Sequence, residues 1–372
     1  MPSFHDKLQA SPQKKLLALD GGGIRGVITL EVLARIERIL QEKLGRNDDF
    51  VLADYFDYVA GTSTGAIIAT CVSLGMRVAD IQKFYLESGP AMFDRASLRY
   101  RYLHHKFEDK ELKAKLKEVI GADTTLGSDK LRTLLMMVMR NATTDSPWPV
   151  SNNPKAMFNC DPDDPGCNLN LPLWQLVRAS TAAPVYFPPE LIKVGDQDFL
   201  FVDGGITMYN NPAFHLFLMA TLEPYKLEWP AGEDRMLVIS LGTGMSPDAR
   251  AQLEASDMNL VYNATSLAPA LMFAALNEQD LLCRTFGNCL AGDPIDLEVG
   301  DLIGKRGPAS PKLFTYARYN AELTRRGLDA LGLRDVDPAK VQQLDSIEFI
   351  EDLQRVGKAV AGKVQPEHFA GF

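Results

Sequence analysis

Two hydrophobic patterns alternate along the chain: short unbroken apolar runs that end at glycine, and longer stretches in which apolar residues recur every three or four positions. The first run, Leu16-Leu17-Ala18-Leu19, stops at Asp20 and three glycines. It is too short for a helix and reads as a buried strand entering a tight turn. Between 27 and 44, Ile28, Val32, Leu33, Ile36, Ile39 and Leu40 fall at helical spacing before Gly45, which predicts an amphipathic helix. Tyr58-Val59-Ala60 is a second short strand. It runs directly into Gly61-Thr62-Ser63-Thr64-Gly65, and 66–74 continues as a largely apolar helix, buried on most faces. Strand, glycine turn and helix have then occurred twice, the signature of a parallel α/β sheet.

Further along the pattern is less regular. Residues 95–140 read as mainly helical with a charged exterior, and 141–171, rich in Pro, Asn and Asp, as a long irregular excursion. Regular spacing resumes at 174–179. A hairpin follows, 191–194 and 199–202 about a Gly195-Asp196 turn. Asn211-Pro212 predicts a helix start. Residues 236–241 form another buried strand ending in Gly242-Thr243-Gly244, and the last third reads as mostly helical. The expected fold is a single α/β domain: a central, mainly parallel sheet between helices on both faces, with additional C-terminal helices. Its expected divisions are a polar N-terminal segment (1–15), a catalytic core (16–244) and a mostly helical part (245–372) packed on the same domain.

Composition and charge narrow the function. At 46% hydrophobic and 23% charged residues, the 372-residue chain has the make-up of a globular protein, not a disordered or fibrous one. The net charge of -9 argues against nucleic acid as a partner, since phosphate neutralisation needs a basic excess. Five cysteines, an odd number, argue against a disulfide framework and for a reducing compartment. The N-terminus has no apolar signal-like core, and the longest apolar stretch, 267–276, is far below the ~20 residues a membrane span needs. A soluble, cytoplasmic protein is expected.

Three turns carry the candidate chemistry. Gly21-Gly22-Gly23-Ile24-Arg25-Gly26 satisfies G-x-G-x-x-G between strand and helix. Its backbone N–H groups could cradle a dinucleotide pyrophosphate or stabilise an oxyanion, or the glycines could simply pack helix on strand. Glu42 lies near the spacing at which a dinucleotide site wants an acid, but inside the helical pattern. Gly61-Thr62-Ser63-Thr64-Gly65 fits a nucleophile elbow, in which a serine sits on so sharp a turn that Gly61 and Gly65 must lack side chains. Asp203-Gly204-Gly205 ends a strand where open α/β sheets bind ligands. Together they supply the nucleophile, carboxylate and anion-stabilising turn of acyl transfer.

With these three motifs, the flanking Arg178-Ala179-Ser180-Thr181-Ala182-Ala183-Pro184 and Asn210-Asn211-Pro212, and Ser240-Leu241-Gly242-Thr243-Gly244, the chain resembles the patatin-like phospholipases over 16–244. The resemblance implies a three-layer α/β/α fold and a lipid acyl hydrolase with a Ser–Asp dyad. Ser63 would be the nucleophile, Asp203 the general base, and the N–H groups of Gly21, Gly22 and Gly23 the oxyanion hole. Arg25 would support the loop or meet substrate phosphate, with a salt bridge to a nearby carboxylate as the plainer role. The alternatives are a dinucleotide-binding oxidoreductase using Gly21-x-Gly23-x-x-Gly26 and a non-catalytic lipid or nucleotide sensor. Of the five histidines, His215 sits among Phe214, Leu216, Phe217 and Leu218 and reads as a packed helix residue, and His104-His105 as surface. No cysteine spacing fits a metal, the acidic loop 161–166 lacks EF-hand spacing, and no cofactor is expected.

The expected partner is a membrane or micellar glycerolipid substrate, with peripheral membrane contact. Residues 95–117 hold eight basic against three acidic side chains, interleaved with Tyr100, Tyr102 and Phe107. That composition suits an anionic interface or a solvated helix face. The apolar 267–276 stretch suits an acyl-chain groove or ordinary core packing.

Overall fold

The computed structural model describes residues 3–93, 109–159, 161, 163–184, 186–246, 260–345 and 347–372. Among them, strands β1 (Lys14–Leu19), β2 (Tyr58–Thr62), β3 (Leu134–Asn141), β4 (Ser146–Ser151), β5 (Glu190–Val194), β6 (Gln197–Asp203), β7 (Met236–Leu241), β8 (Asn288–Ala291) and β9 (Thr315–Tyr319) form one sheet. The strands from β3 through β2, β1, β7 and β9 to β8 run parallel, while β4 and the β5–β6 hairpin are antiparallel additions beside β3. The helices are α1 (Phe4–Leu8), α2 (Gly26–Lys43), α3 (Thr64–Ser73), α4 (Val78–Phe93), α5 (Asp109–Ile120), α6 (Leu173–Ser180), α7 (Ala213–Thr221), α8 (Leu260–Phe286), α9 (Arg325–Ala330), α10 (Pro338–Val341) and α11 (Ile350–Ala361).

Alternation along the strands explains the layering. Leu17, Leu19, Val59, Ile239 and Leu241 point into a core shared with α2, α3 and α11, while Leu16, Ala18, Tyr58, Ala60 and Val238 point into one shared with α7. Both faces of the central strands are buried, so β1, β2 and β7 read as largely apolar runs. The mainly parallel sheet between helices is thus present as expected.

Three segments depart from the sequence expectation. Residues 134–140, expected to be helical, form all but the last position of the strand β3. Its Leu and Met residues are good helix formers, but burial between β2 and β4 overrides that preference. Ser146–Ser151 lies in the supposed irregular excursion yet forms β4. Its Pro147 and Pro149 are tolerated because β4 pairs only with β3 and its other edge carries no strand among the described residues. The C-terminal third contributes β8 and β9, so the sheet does not stop at Gly244. Arg318 interrupts the apolar run of β9, so the sequence there carries no buried-strand pattern of its own. Leu267 and Leu271, in the apolar 267–276 stretch, are each 61% exposed on α8 and do not pack into the core. Residues 95–108 of the basic stretch lie outside the described residues.

Candidate active site

The register of β3 brings the two distant motifs together. β4 occupies one edge of β3 from Met136 to Asn141, so β2 and β6 must share the other. β2 runs parallel to β3 and ends with Thr62 opposite Val138. β6 runs antiparallel and ends with Asp203 opposite Met139, the next position along. The two strands meet end to end, and Ser63 and Asp203, 140 residues apart, become neighbours. Ser63 Oγ donates to Asp203 Oδ2 at 2.6 Å.

Ser63 takes φ 55° and ψ −122°, a conformation that costs a non-glycine residue about 1–3 kcal/mol. The strain holds because the elbow is fixed on every side. A Cβ at Gly61 would collide with the Gly65 carbonyl, and one at Gly65 with the Leu19 carbonyl, so strand and helix cross where no side chain fits. The Ser63 N–H donates to Ser180 Oγ at 2.9 Å, and that hydroxyl donates to the Val138 carbonyl at 2.6 Å. Ser180 is fully buried at the end of α6. Nothing in the sequence beyond the Arg178–Pro184 run marks it as a support of the elbow.

Asp203 is only 5% exposed. Its Oδ1 accepts the Gly205 N–H at 2.6 Å, so both carboxylate oxygens have donors. Burial pushes its pKa up to about 6, against the opposing pull of the Ser63 hydroxyl, the Gly205 N–H and the Arg178 charge. A Cβ on Gly204 would strike the Val138 carbonyl, which explains why glycine must follow the aspartate.

The first glycine turn reaches the same place: a Cβ built on Gly21 would sit against Asn210 Oδ1, 3.2 Å from Ser63 Cβ. Its three N–H groups are not equivalent. That of Gly21 donates to the Asn210 carbonyl at 3.2 Å, while those of Gly22 and Gly23 have no protein acceptor among the described residues. Of the three N–H groups expected to serve as oxyanion donors, those of Gly22 and Gly23 are therefore the ones left open. The turn is held from outside itself: Thr243 Oγ1 donates to the Gly21 carbonyl at 2.7 Å, and Ile24 N–H donates to the Leu344 carbonyl at 3.0 Å. Arg25 donates to the Gln342 carbonyl at 3.3 Å and forms no salt bridge among the described residues, so its contact here is with the loop. Burial lowers its pKa to about 10.

The rival candidates lie elsewhere. Glu42 is in the last turns of α2, not at a strand end. His215 is buried against Tyr209, with ring centroids 4.2 Å apart, and neither ring nitrogen has a protein partner among the described residues. Burial lowers its pKa to about 4, so the ring is neutral at physiological pH. His104 and His105 lie outside the described residues. No group of three or more metal-ligating side chains occurs among the described residues, and no described helix is long and apolar enough to cross a membrane.

The family model for patatin-like phospholipase matches residues 17–217, more than half of the chain and all three motif turns. The chain belongs to the patatin-like phospholipase family. Among individual patatin-like relatives, a protein of Vibrio cholerae described as a cGAMP-activated phospholipase is 31% identical over 58% of this chain and 59% of its own length. A protein of Escherichia coli with the same description is 28% identical over 62% of each chain. Patatin-T5 of Solanum tuberosum is 27% identical over 76% of this chain and 78% of its own. The match therefore spans less than two thirds of the two bacterial proteins.

Proposed function

We propose that the chain is a lipid acyl hydrolase, a carboxylic ester hydrolase of phospholipase A or lysophospholipase type, acting on glycerolipid at a membrane or micelle surface. The observation that carries this reading is the 2.6 Å bond from the strained Ser63 to a buried carboxylate with a pKa of about 6. Ser63 Oγ attacks the ester carbonyl carbon and its proton passes to Asp203 Oδ2. Negative charge gathers on the carbonyl oxygen, facing the N–H groups of Gly22 and Gly23. Collapse expels the alcohol, which takes the proton from Asp203 and leaves acyl-Ser63. Water then gives a proton to Asp203 and attacks the acyl carbon, and Ser63 regains its proton as the fatty acid departs.

An ordinary aspartate is a weaker base than histidine by about 2.6 pKa units, a handicap of about 3.5 kcal/mol. Raising Asp203 to about 6 removes most of it. A good oxyanion donor, worth about 2.7–4 kcal/mol, is enough for the remainder. His215, neutral and packed on Tyr209, plays no part. In this reading 16–244 carries the reacting groups, 245–372 completes their support, and the protein is cytoplasmic with peripheral membrane contact.

The test is mass spectrometry of a mixed-lipid digest by the parent chain and S63A, with and without cGAMP because the two bacterial relatives are described as activated by it. Fatty acid release by the parent and none by S63A is expected. Equal release by both sinks the dyad, and release only with cGAMP extends that regulation to this chain.

A further inference from the structure

A chain of buried charges runs beneath the glycine turn, and no motif in the sequence announces it. Asp20, the residue immediately before Gly21, has no solvent exposure. Arg318 of β9 grips its carboxylate with two nitrogens, Nη2 to Oδ2 at 2.6 Å and Nη1 to Oδ1 at 3.2 Å. Nη1 also donates to Ser240 Oγ at 2.6 Å. Register explains the reach. Ser240 pairs with Ala18 on one side and Arg318 on the other, and Asp20 lies two residues past Ala18 on the same face. The guanidinium thus spans from β9 across β7 to the end of β1. Behind it, Asp280 of α8 lies 3.6 Å from Arg318 Nε and is held by Arg284, through bonds of 2.8 and 2.7 Å, and by Tyr316 at 3.0 Å.

Stability is a poor reason for such a cluster. Taking charges out of water costs about what their attraction returns, and apolar residues of similar volume commonly do as well. What the cluster supplies is direction: a bidentate guanidinium–carboxylate pair fixes both distance and angle. The object it fixes is the point where β1 becomes the glycine turn. We propose that Arg318 is a positioning residue for hydrolysis, holding Asp20 so that the Gly22 and Gly23 N–H groups aim at the developing oxyanion. The inference rests on the dyad reading above.

The test compares the parent, S63A, R318M and R318K on one lipid ester, with active sites titrated to completion by a fluorophosphonate. Turnover per titrated site discounts any misfolded fraction, which a purely structural role would change. The expected result for R318M is a fall in kcat of about 10²-fold, the scale of losing an oxyanion donor, with KM within about threefold of the parent and partial recovery in R318K. Parent-like turnover per site in R318M, or a loss confined to KM, overturns the inference. Should R318M be insoluble, R318K carries the test, and parent-like kcat in that variant overturns the proposal equally. Hydrolysis surviving in S63A would instead remove the dyad reading itself, whatever Arg318 does.

Discussion

In the proposed dyad Asp203 would have two opposed duties, and one substitution separates them. As a base it must be ionised, so kcat/KM should rise with pH through a midpoint near 6 and level off above it. A pH–rate profile flat between pH 5 and 8 would exclude Asp203 as the base. For stability the sign is reversed. The folded carboxyl, raised from 3.8 to about 6, holds its proton more tightly than the unfolded one. Its contribution is therefore complete below pH 3.8 and lost as pH rises through about 6, by about 3 kcal/mol in all. D203N keeps the shape and can still accept from Gly205 and donate to Ser63. It should abolish hydrolysis while unfolding at a higher denaturant midpoint than the parent at pH 7.5, the gap closing toward pH 4. An unchanged gap across that range would contradict the buried, proton-holding state.

Among the elements, β3 sets the geometry, because β2 and β6 end against adjacent positions of its one edge. Inserting one alanine between Val138 and Met139 should lengthen that step by about 3.3 Å and separate Ser63 from Asp203 without altering either residue. The expected outcome is a folded chain, judged by circular dichroism, with fluorophosphonate labelling of Ser63 slowed at least about 10²-fold. Labelling at the parent rate would mean that the register is not what joins the pair. This is also where legibility in the sequence divides. The turns at Gly21, Ser63 and Asp203 could be read because each needs particular residues where backbone meets backbone. β3 could not, since its Leu and Met content favours a helix and only neighbouring strands make it extended. Ser180 and Arg318 were hidden for a related reason: their partners, Ser63 and Asp20, are 117 and 298 residues away, and no local spacing encodes such a pairing.

For the whole molecule, the division at Gly244 suggested by the motifs understates the C-terminal third. β9 continues the sheet beyond β7, α11 packs its Val356 and Val360 into the core beside Ile28 and Ile36 of α2, and the 342–344 segment receives hydrogen bonds from Ile24 and Arg25. The turn near the start of the chain therefore takes its shape from carbonyls near its end. In cells this has a temporal meaning: a polypeptide still threaded through the ribosome possesses its serine and aspartate long before it possesses the clasp that shapes the neighbouring loop. We expect nascent chains stalled with residues up to 330 emerged to resist fluorophosphonate, and released full-length chains to react, with equal modification of both counting against it. Under the proposed reading, the reactive serine exists before its oxyanion turn has a fixed shape, and the turn gains that shape only once residues 342–344 have been made.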